Sequence, residues 1–580
     1  MSKIFPVSPV ILAFYQAIGN PGSVFLEFSV RYTISMAMIR IQEKIDSLLS
    51  QEQGTVYKDP GGKISICLVY PNTYHVGMSN LGFQGMYTLL NERSDVVCER
   101  AFLPDEEDRD EYRRACTEVF SMESRKPLHR FDIVAFSVSF ENDYPHVPRI
   151  LRMSKIPLRA AERSHRHPLV IMGGVCAFVN PEPVSEFFDI CFVGEAEEMI
   201  SEFLAVFRDS RDRGTLSEKA MLIEGIYLPG YYEITYGTQG IAGRKSLGNA
   251  PEKIQRRVVK DLTQNPFRHS VITPETEFSN MQLMEAMRGC PWSCRFCVAG
   301  YVYKPVRKKD PRTLRREVEE SAAKTTRVGL IAPSLTDYPH TKDILCMDGV
   351  DFSITSLRAS PKSAAIVKVL RKHKSVSIAP EAGTQRLRKA IDKRITGEDI
   401  VETARLILSE GIETLRLYFM VGLPTENDAD IDGIISLVRE IRQVAPRGNI
   451  VLTLSTFVPK PCTPFQWHPM ERTSVVKARL KSIKKALMLL KGVKVFHDVP
   501  KYAYMQGLFS RGDRRVSRVL EEMLEHDDWR KACDGAGIDP DFYLFRQRDF
   551  NERLPWDFID HGISKEKLWA EYRKALFTEE

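Results

Sequence analysis

Several features that would make a chain easy to classify are missing from this one. No apolar run is long enough to cross a bilayer; the N-terminal one, residues 10–18, falls well short of the roughly twenty residues a spanning helix needs. Ahead of it stands a single lysine, Lys3, where a secretory leader would carry a basic cluster, a longer apolar core and a small-residue cleavage site. Neither sign of charge dominates: 82 Lys and Arg against 76 Asp and Glu leave a net +6, which makes no general case for a nucleic-acid surface and leaves that partner open. Residues 496–580 hold no repeat and no low-complexity tract. With 11 cysteines in a large chain and no credible secretory leader, a disulfide framework is not expected, and free thiols imply a reducing, cytoplasmic setting without membrane attachment. Residues 1–37 mix apolar residues with Pro6, Pro9, Gly19, Pro21 and Gly22, and read as a non-native or disordered extension, with translation beginning at Met36 or Met38 and an ordinary helix over 39–50.

What is present is a dense group of thiols. Cys290, Cys294 and Cys297 fall in Arg-Gly-Cys-Pro-Trp-Ser-Cys-Arg-Phe-Cys-Val-Ala-Gly, residues 288–300, with Cys-x3-Cys-x2-Cys spacing and no fourth Cys or His nearby. A structural zinc ion takes four ligands, usually as two pairs, and Cys346, Cys462 and Cys533 are isolated. Three thiolates instead suit a cubane cluster, holding three irons and leaving the fourth open to bind and reduce a substrate or cofactor. Trp292, Phe296 and Val298 supply apolar cover that limits water and favours a low potential.

Length alone suggests about three or four domains. Over residues 38–207, short apolar runs (64–70, 96–103, 131–140, 169–172, 190–193) alternate with helical stretches, which predicts a parallel, doubly wound sheet. Its ligand crevice is expected at the strands' carboxyl ends, in loops 71–80, 137–144, 173–183 and 194–198. Residues 208–275 read as a linker with a strand pair around Pro229-Gly230. Six further runs (282–287, 328–333, 352–355, 376–379, 414–421, 450–457) within 276–495 fit a partial (β/α)6 barrel, active at the carboxyl ends of its strands. The helix over 475–490 carries Lys477, Arg479, Lys481, Lys484 and Lys485 on what reads as a solvated face. Residues 496–580 read as a charged, helical C-terminal region.

The cysteine spacing resembles that of the radical SAM superfamily, in which the open iron chelates S-adenosylmethionine and cleaves it reductively to a 5′-deoxyadenosyl radical. A doubly wound domain ahead of the barrel resembles the cobalamin-binding class of that superfamily. Residues 70–82, 379–383, 455–467 and 507–515 are similar to one bacterial branch of unassigned substrate, so the resemblance covers roughly 60–520. It implies a flavodoxin-like cobalamin-binding domain, a 4Fe-4S cluster on Cys290, Cys294 and Cys297, S-adenosylmethionine, cobalamin, and an electron donor such as flavodoxin or ferredoxin. Methyl transfer is the implied reaction. Two other readings stand beside it: an RNA- or protein-modifying methylthiotransferase-like enzyme, which would need a second cluster, and a non-catalytic cluster or cobalamin sensor.

Gly173-Gly174 and Gly194-Glu195 follow successive strands, and in cobalamin-binding relatives such loops cradle the corrin and its nucleotide tail. The Asp-x-His-x-x-Gly cobalt motif is missing; His75 is the nearest substitute. In the barrel the resemblance gives Phe296 to adenine through its backbone, Glu381 to the ribose or amino group, Arg386 and Arg388 to the carboxylate, and Gly422 and Pro424 to the adenine-side turn. The Gly-Gly-Glu motif after the second strand is absent, leaving Asp337 to hold the ammonium. Lys460 and Trp467 are expected to face substrate, and the basic, aromatic loop 303–309 to hold an anion or an electron donor, or to be plain surface.

Overall fold

The computed structural model describes residues 21–263, 267, 269–370 and 373–577, with side chains from residue 35 onward. Residues 1–20 of the expected extension lie outside that range. From Pro21 the chain is one helix to Ser50, longer than the 39–50 read from the sequence. Its Ala37, Ile41 and Ile45 turn into the core of the first domain.

The first sheet comprises β1 (Ile64–Tyr70), β2 (Val96–Phe102), β3 (Ile133–Ser137), β4 (Leu169–Gly173), β5 (Ile190–Phe192) and β6 (Ile226–Tyr227). Their order is 2-1-3-4-5-6, parallel except for β6. This is the flavodoxin-like order, whose strand sequence switches direction between β1 and β3. The strands are nearly continuous apolar runs because a parallel sheet is covered on both faces; every residue of β2, β3 and β5 is buried. The exceptions in β2 are Glu99, which accepts from Ser121 and Ser124, and Arg100, fully buried, whose guanidinium donates to Glu52 (2.8 and 2.7 Å) and to Glu123 (2.7 Å). Arg100 ties the segment after the first helix to the sheet.

The expected linker is more ordered than its composition suggests. Pro229-Gly230 does not turn a strand pair; β6 closes the first sheet there, and a hairpin of β7 (Tyr232–Gly237) and β8 (Gly240–Ser246) follows. Next, β9 (Ile254–Gln255) pairs in parallel with β19 (Ile559–Asp560) from the far end of the chain.

The second sheet system holds β10 (Gln282–Glu285), β13 (Arg327–Ile331) and β14 (Asp351–Ile354), all parallel, then β15 (Ser375–Glu381), β16 (Thr414–Val421), β17 (Asn449–Thr456) and β18 (Val493–His497), also parallel. A parallel bridge between Leu357 and Ile378 joins the two sets. Between β10 and β13 lies a small antiparallel pair, β11 (Met287–Arg288) with β12 (Arg307–Lys308). All six predicted runs are strands. The seventh, β18, escaped notice because an edge strand with exposed Lys494 and Phe496 carries little apolar signal.

Residues 496–577 are a brace rather than an appended tail. Helices Pro500–Arg511, Ser517–Glu522, Trp529–Ala536, Pro540–Leu544 and Lys565–Leu576 share one core with Val147 and Phe187 of the first domain and Phe457 and Trp467 of the barrel.

Replacing Arg100 with Met strands two buried carboxylates. The expected cost is about 3–5 kcal/mol, read as a lower urea midpoint; an unchanged midpoint would show that Glu52 and Glu123 simply take up protons.

Candidate functional site

The three thiols sit on a loop pinched off between β11 and β12. Within it the Cys297 amide donates to the Cys294 carbonyl (3.0 Å), the Cys290 amide to the Ala299 carbonyl (3.3 Å), and the Tyr301 hydroxyl to the Ser293 carbonyl (2.8 Å). Arg295, nearly buried, sews the loop to its surroundings. Its guanidinium donates to the carbonyls of Lys389 (3.0 Å) and Ala390 (2.8 Å) at the end of helix Gln385–Ala390, and to Glu571 on helix Lys565–Leu576 (2.9 Å). Capping helix-end carbonyls with a cation is favourable.

Burial raises all three thiols above their ordinary range, Cys297 to about 11. Amides of Trp292 and Ala299 point at the sulfurs of Cys290 and Cys297, and the cations Lys393 and Arg358 pull Cys294 the other way. Among the described residues no three Cys, His, Asp or Glu side chains converge as they would around one ion. A cubane gives each thiolate its own iron, and amide donors with nearby cations suit its anionic sulfurs. The donor set therefore fits the cluster, and loading it must displace protons.

A charged shelf flanks the thiols. Lys393, on the loop after helix Gln385–Ala390, donates to Glu381 (3.1 Å). Glu381 ends β15 with φ of 68°, in the left-handed region a carboxylic residue rarely occupies. On the other side the Trp292 indole donates to Asp337 Oδ2 (2.6 Å), which also accepts from Ser334 (2.7 Å), while Arg358 stacks 3.7 Å above the indole ring.

Behind the loop is a buried knot of ions. Glu195, at the carboxyl end of β5, accepts from Arg307 (2.6 and 2.8 Å) and from the Val259 amide (2.7 Å), and lies 3.1 Å from Arg288 and 4.0 Å from Arg256. Arg288 also meets Glu285 and Glu197, each at 2.7 Å. These cations hold the Glu195 carboxyl below its usual range despite burial. Arg288 and Arg307 are a facing pair across β11 and β12, so one carboxylate of the first domain grips both stems of the thiol loop.

Three cavities converge on that loop. The largest, about 620 Å³, runs between the carboxyl ends of the two sheets. Ser137, Ser139 and Gly174 line it on one side, Met287, Gly289, Ala299 and Tyr303 on the other. A second, about 600 Å³, is floored by Phe296, Met420 and Phe457 and rimmed by Phe140, Asp498 and Tyr502. A third, about 590 Å³, borders the loop at Ser293, Tyr301 and Lys304.

The expected site residues divide accordingly. Phe296, Asp337 and Glu381 gather around the thiols. Gly174, Gly194 and Glu195 border the large crevice, and a Cβ added to Gly173 would meet nothing within 4 Å. Gly174 and Gly194 owe their glycine identity to packing, since a Cβ would come within 2.4 Å of the carbonyls of Val138 and Arg257. Glu195 is committed to its arginines. Gly422 and Pro424 do form a turn, but the Gly422 amide already donates to Glu426 (2.9 Å), which Arg479 also holds (2.8 Å); burial moves that carboxyl up to about 7. Arg388 points inward to the carbonyls of Ala382 (3.0 Å) and Gly383 (3.1 Å), and Arg386 bonds Asp430 and the Thr425 carbonyl, so neither is spare for a carboxylate. His75 is exposed beside Glu277 and does not border the crevice. Trp467 is core, packed edge-on against Trp569. Lys460 is paired with Glu141 (2.6 Å). Of loop 303–309, Arg307 and Lys309 are buried ion partners and Tyr303 lines the crevice. Sequence reasoning missed Arg288, Arg295 and Lys393, and took Arg307 only as one cation of the basic loop 303–309.

Comparison with known proteins bears on this geometry. Residues 82–229 match the family described as radical SAM proteins, N-terminal, and residues 284–438 the radical SAM superfamily. An uncharacterized protein of Methanocaldococcus jannaschii is 30% identical over 464 residues, 79% of this chain and 90% of that one. A tRNA-2-methylthio-N(6)-dimethylallyladenosine synthase of Pelotomaculum thermopropionicum is 27% identical over 175 residues, 27% of this chain and 39% of its own. Among solved structures, the cobalamin-dependent S-adenosylmethionine radical enzyme OxsB aligns with 65% of this chain and 51% of its own, at 12% identity and a TM-score of 0.43. That likeness is too slight to carry weight here.

Changing Glu195 to Gln removes the charge that holds three arginines. The variant is expected to lose about 3 kcal/mol or more of stability and to retain less iron than wild type after anaerobic loading and desalting. Glu198→Gln, which touches only a surface pair with Arg257, should change neither. Wild-type iron in the Glu195 variant would show that the knot does not support the loop.

Proposed function

The chain belongs to the radical SAM superfamily, and we propose that it is a cobalamin-dependent member that transfers a methyl group, or performs related radical chemistry, on a substrate held at the barrel mouth. Membership carries with it a 4Fe-4S cluster and S-adenosylmethionine. When bound at Cys290, Cys294 and Cys297, the cluster supplies the electron that cleaves S-adenosylmethionine reductively. Cobalamin would supply a methyl carrier.

The observation that carries the cobalamin reading is the crevice of about 620 Å³ where the carboxyl ends of both sheets face each other, with the thiol loop in its wall. Phe178, Tyr303, Met86 and Met287 offer flat apolar surface for a macrocycle, and Ser79, Asn80, Ser137 and Ser139 offer groups for an amide-bearing rim. The open side of Gly173 leaves backbone approachable there. No histidine lines the crevice, so the reading does not use His75 as a cobalt ligand. In the neighbouring cavity, Phe296, Met420 and Phe457 exclude water beside the thiols, and the Lys393–Glu381 pair sets fixed charge next to Cys294.

The N-terminal thiols favour one cluster over two. Cys67, Cys98, Cys176 and Cys191 are buried, with burial pushing each far above its ordinary range, and Cys116 is exposed and apart. Such thiols behave as small apolar residues.

Anaerobic reconstitution with iron, sulfide and hydroxocobalamin, followed by metal analysis after desalting, should give about four irons and about one cobalt per chain. With S-adenosylmethionine and dithionite the loaded protein should form 5′-deoxyadenosine, and Cys294→Ala should abolish it. Iron without cobalt would remove the cobalamin reading, about eight irons would favour the methylthiotransferase-like one, and binding without 5′-deoxyadenosine would leave a sensor.

A further inference from the structure

A closed barrel packs its inward side chains into a core; this partial one leaves part of its inner face bare. Leu415, Leu417 and Phe419 of β16, with Val493 and Val495 of β18, pack into one apolar cluster on the outer side. The residues between them face the other way, and strand register sorts them into rows. Met420 and Ser455 form the first row and line the barrel-mouth cavity beside the thiol loop. Two residues back along the strands stand Tyr418, Thr453 and Phe496, and two further back Arg416, Val451 and Lys494. Tyr418 is 38% exposed and Phe496 58%. Arg416 and Lys494 are exposed too, and neither has a hydrogen-bond or ion-pair partner among the described residues.

This concentration is particular to the one face. Of the six exposed aromatic side chains among the described residues, four stand on it or at the cavity rim: Phe140, Tyr418, Phe496 and Tyr502. The three strands bring no acid to it, and the cavity itself is lined by one, Asp498. Rings without core partners beside cations without counter-ions make a stacking platform with an electrostatic guide.

We propose that this face binds single-stranded nucleic acid and leads one of its bases to the cavity beside the thiols. The proposal rests on the radical SAM reading above and names its substrate class. Bases stack on Tyr418 and Phe496, and phosphates meet Arg416 and Lys494. At about 3.3 Å per residue the cation row lies about 13 Å along the strand from Met420. That span takes more than one nucleotide, hence a strand rather than a free nucleotide. A duplex does not suit it, because paired and stacked bases offer these rings no open face.

The test is anaerobic fluorescence anisotropy on the reconstituted full-length protein with a fluorescein-labelled single-stranded oligonucleotide, made once as RNA and once as DNA. At least one of the two should bind, more weakly as salt rises, and mononucleotides at the same phosphate concentration should not displace it. Tyr418→Ala/Phe496→Ala should weaken binding about tenfold or more at every salt concentration. Arg416→Ala/Lys494→Ala should flatten the slope of log affinity against log salt by about 1.4, the value for two phosphate contacts on a single strand. Lys477→Glu, on the exposed outer face of helix Thr473–Leu487, is the control and should bind as wild type does. Binding of neither strand, displacement by mononucleotides, or wild-type affinity in the aromatic variant would overturn the proposal. So would a wild-type dimer on sedimentation that the aromatic variant turns into monomer, since a second copy would then cover the face. Formation of 5′-deoxyadenosine without strand binding would overturn the proposal and leave the radical reading intact; strand binding without 5′-deoxyadenosine would sink the radical reading while the face keeps its ligand.

Discussion

One buried carboxylate organises the centre of this molecule. Glu195 leaves the fifth strand of the doubly wound sheet and meets Arg307 and Arg288, which stand opposite each other where the thiol loop begins and ends. Burying a charge is costly unless it is paired and hydrogen-bonded. Glu195 meets that condition only while the two domains stay in one relative placement, because its partners all lie outside its own domain. The same contact brings the carboxyl ends of both sheets toward each other and so defines the crevice of about 620 Å³.

The rest of the site inherits that constraint. Arg295 fixes the loop's far side against helix-end carbonyls and against Glu571 of the C-terminal brace, so the thiol loop is clamped from three directions by side chains distant in sequence. A cluster that must sit close to a second ligand benefits from such a frame, since precise placement needs support beyond the atoms that touch the ligand. Each cavity along the loop then has its own character. One is wide and mixed and one apolar, which suits a flat cofactor and an adenosyl group or substrate respectively, and the third is bordered by Arg256, Lys304, Arg394 and Lys567.

Much of this was legible in the sequence because its signals were local. Strands buried on both faces announce themselves as apolar runs, and the cysteine spacing needs no tertiary information. The edge strand Val493–His497 was invisible for the converse reason, being half exposed. Gly174 and Gly194 looked special and are special: both border the wide crevice, and the close approach of the Val138 and Arg257 backbones leaves no room for a Cβ on either. Arg307 looked like a surface cation in a basic run; only a glutamate 112 residues earlier reveals it as core. Arg388 and Trp467 stood in motif positions yet turned to carbonyls and to core, because local sequence does not say which way a long side chain folds back. Lys393 was missed because its partners, Glu381 and Cys294, become neighbours only through the fold.

The most direct measurement is an anaerobic crystal structure of the reconstituted protein with anomalous data at the iron and cobalt edges. The account predicts iron at Cys290, Cys294 and Cys297, and cobalt in the crevice between Ser137, Gly174 and Tyr303. Iron there with cobalt elsewhere on the molecule, or with the crevice filled by protein side chains, would contradict it.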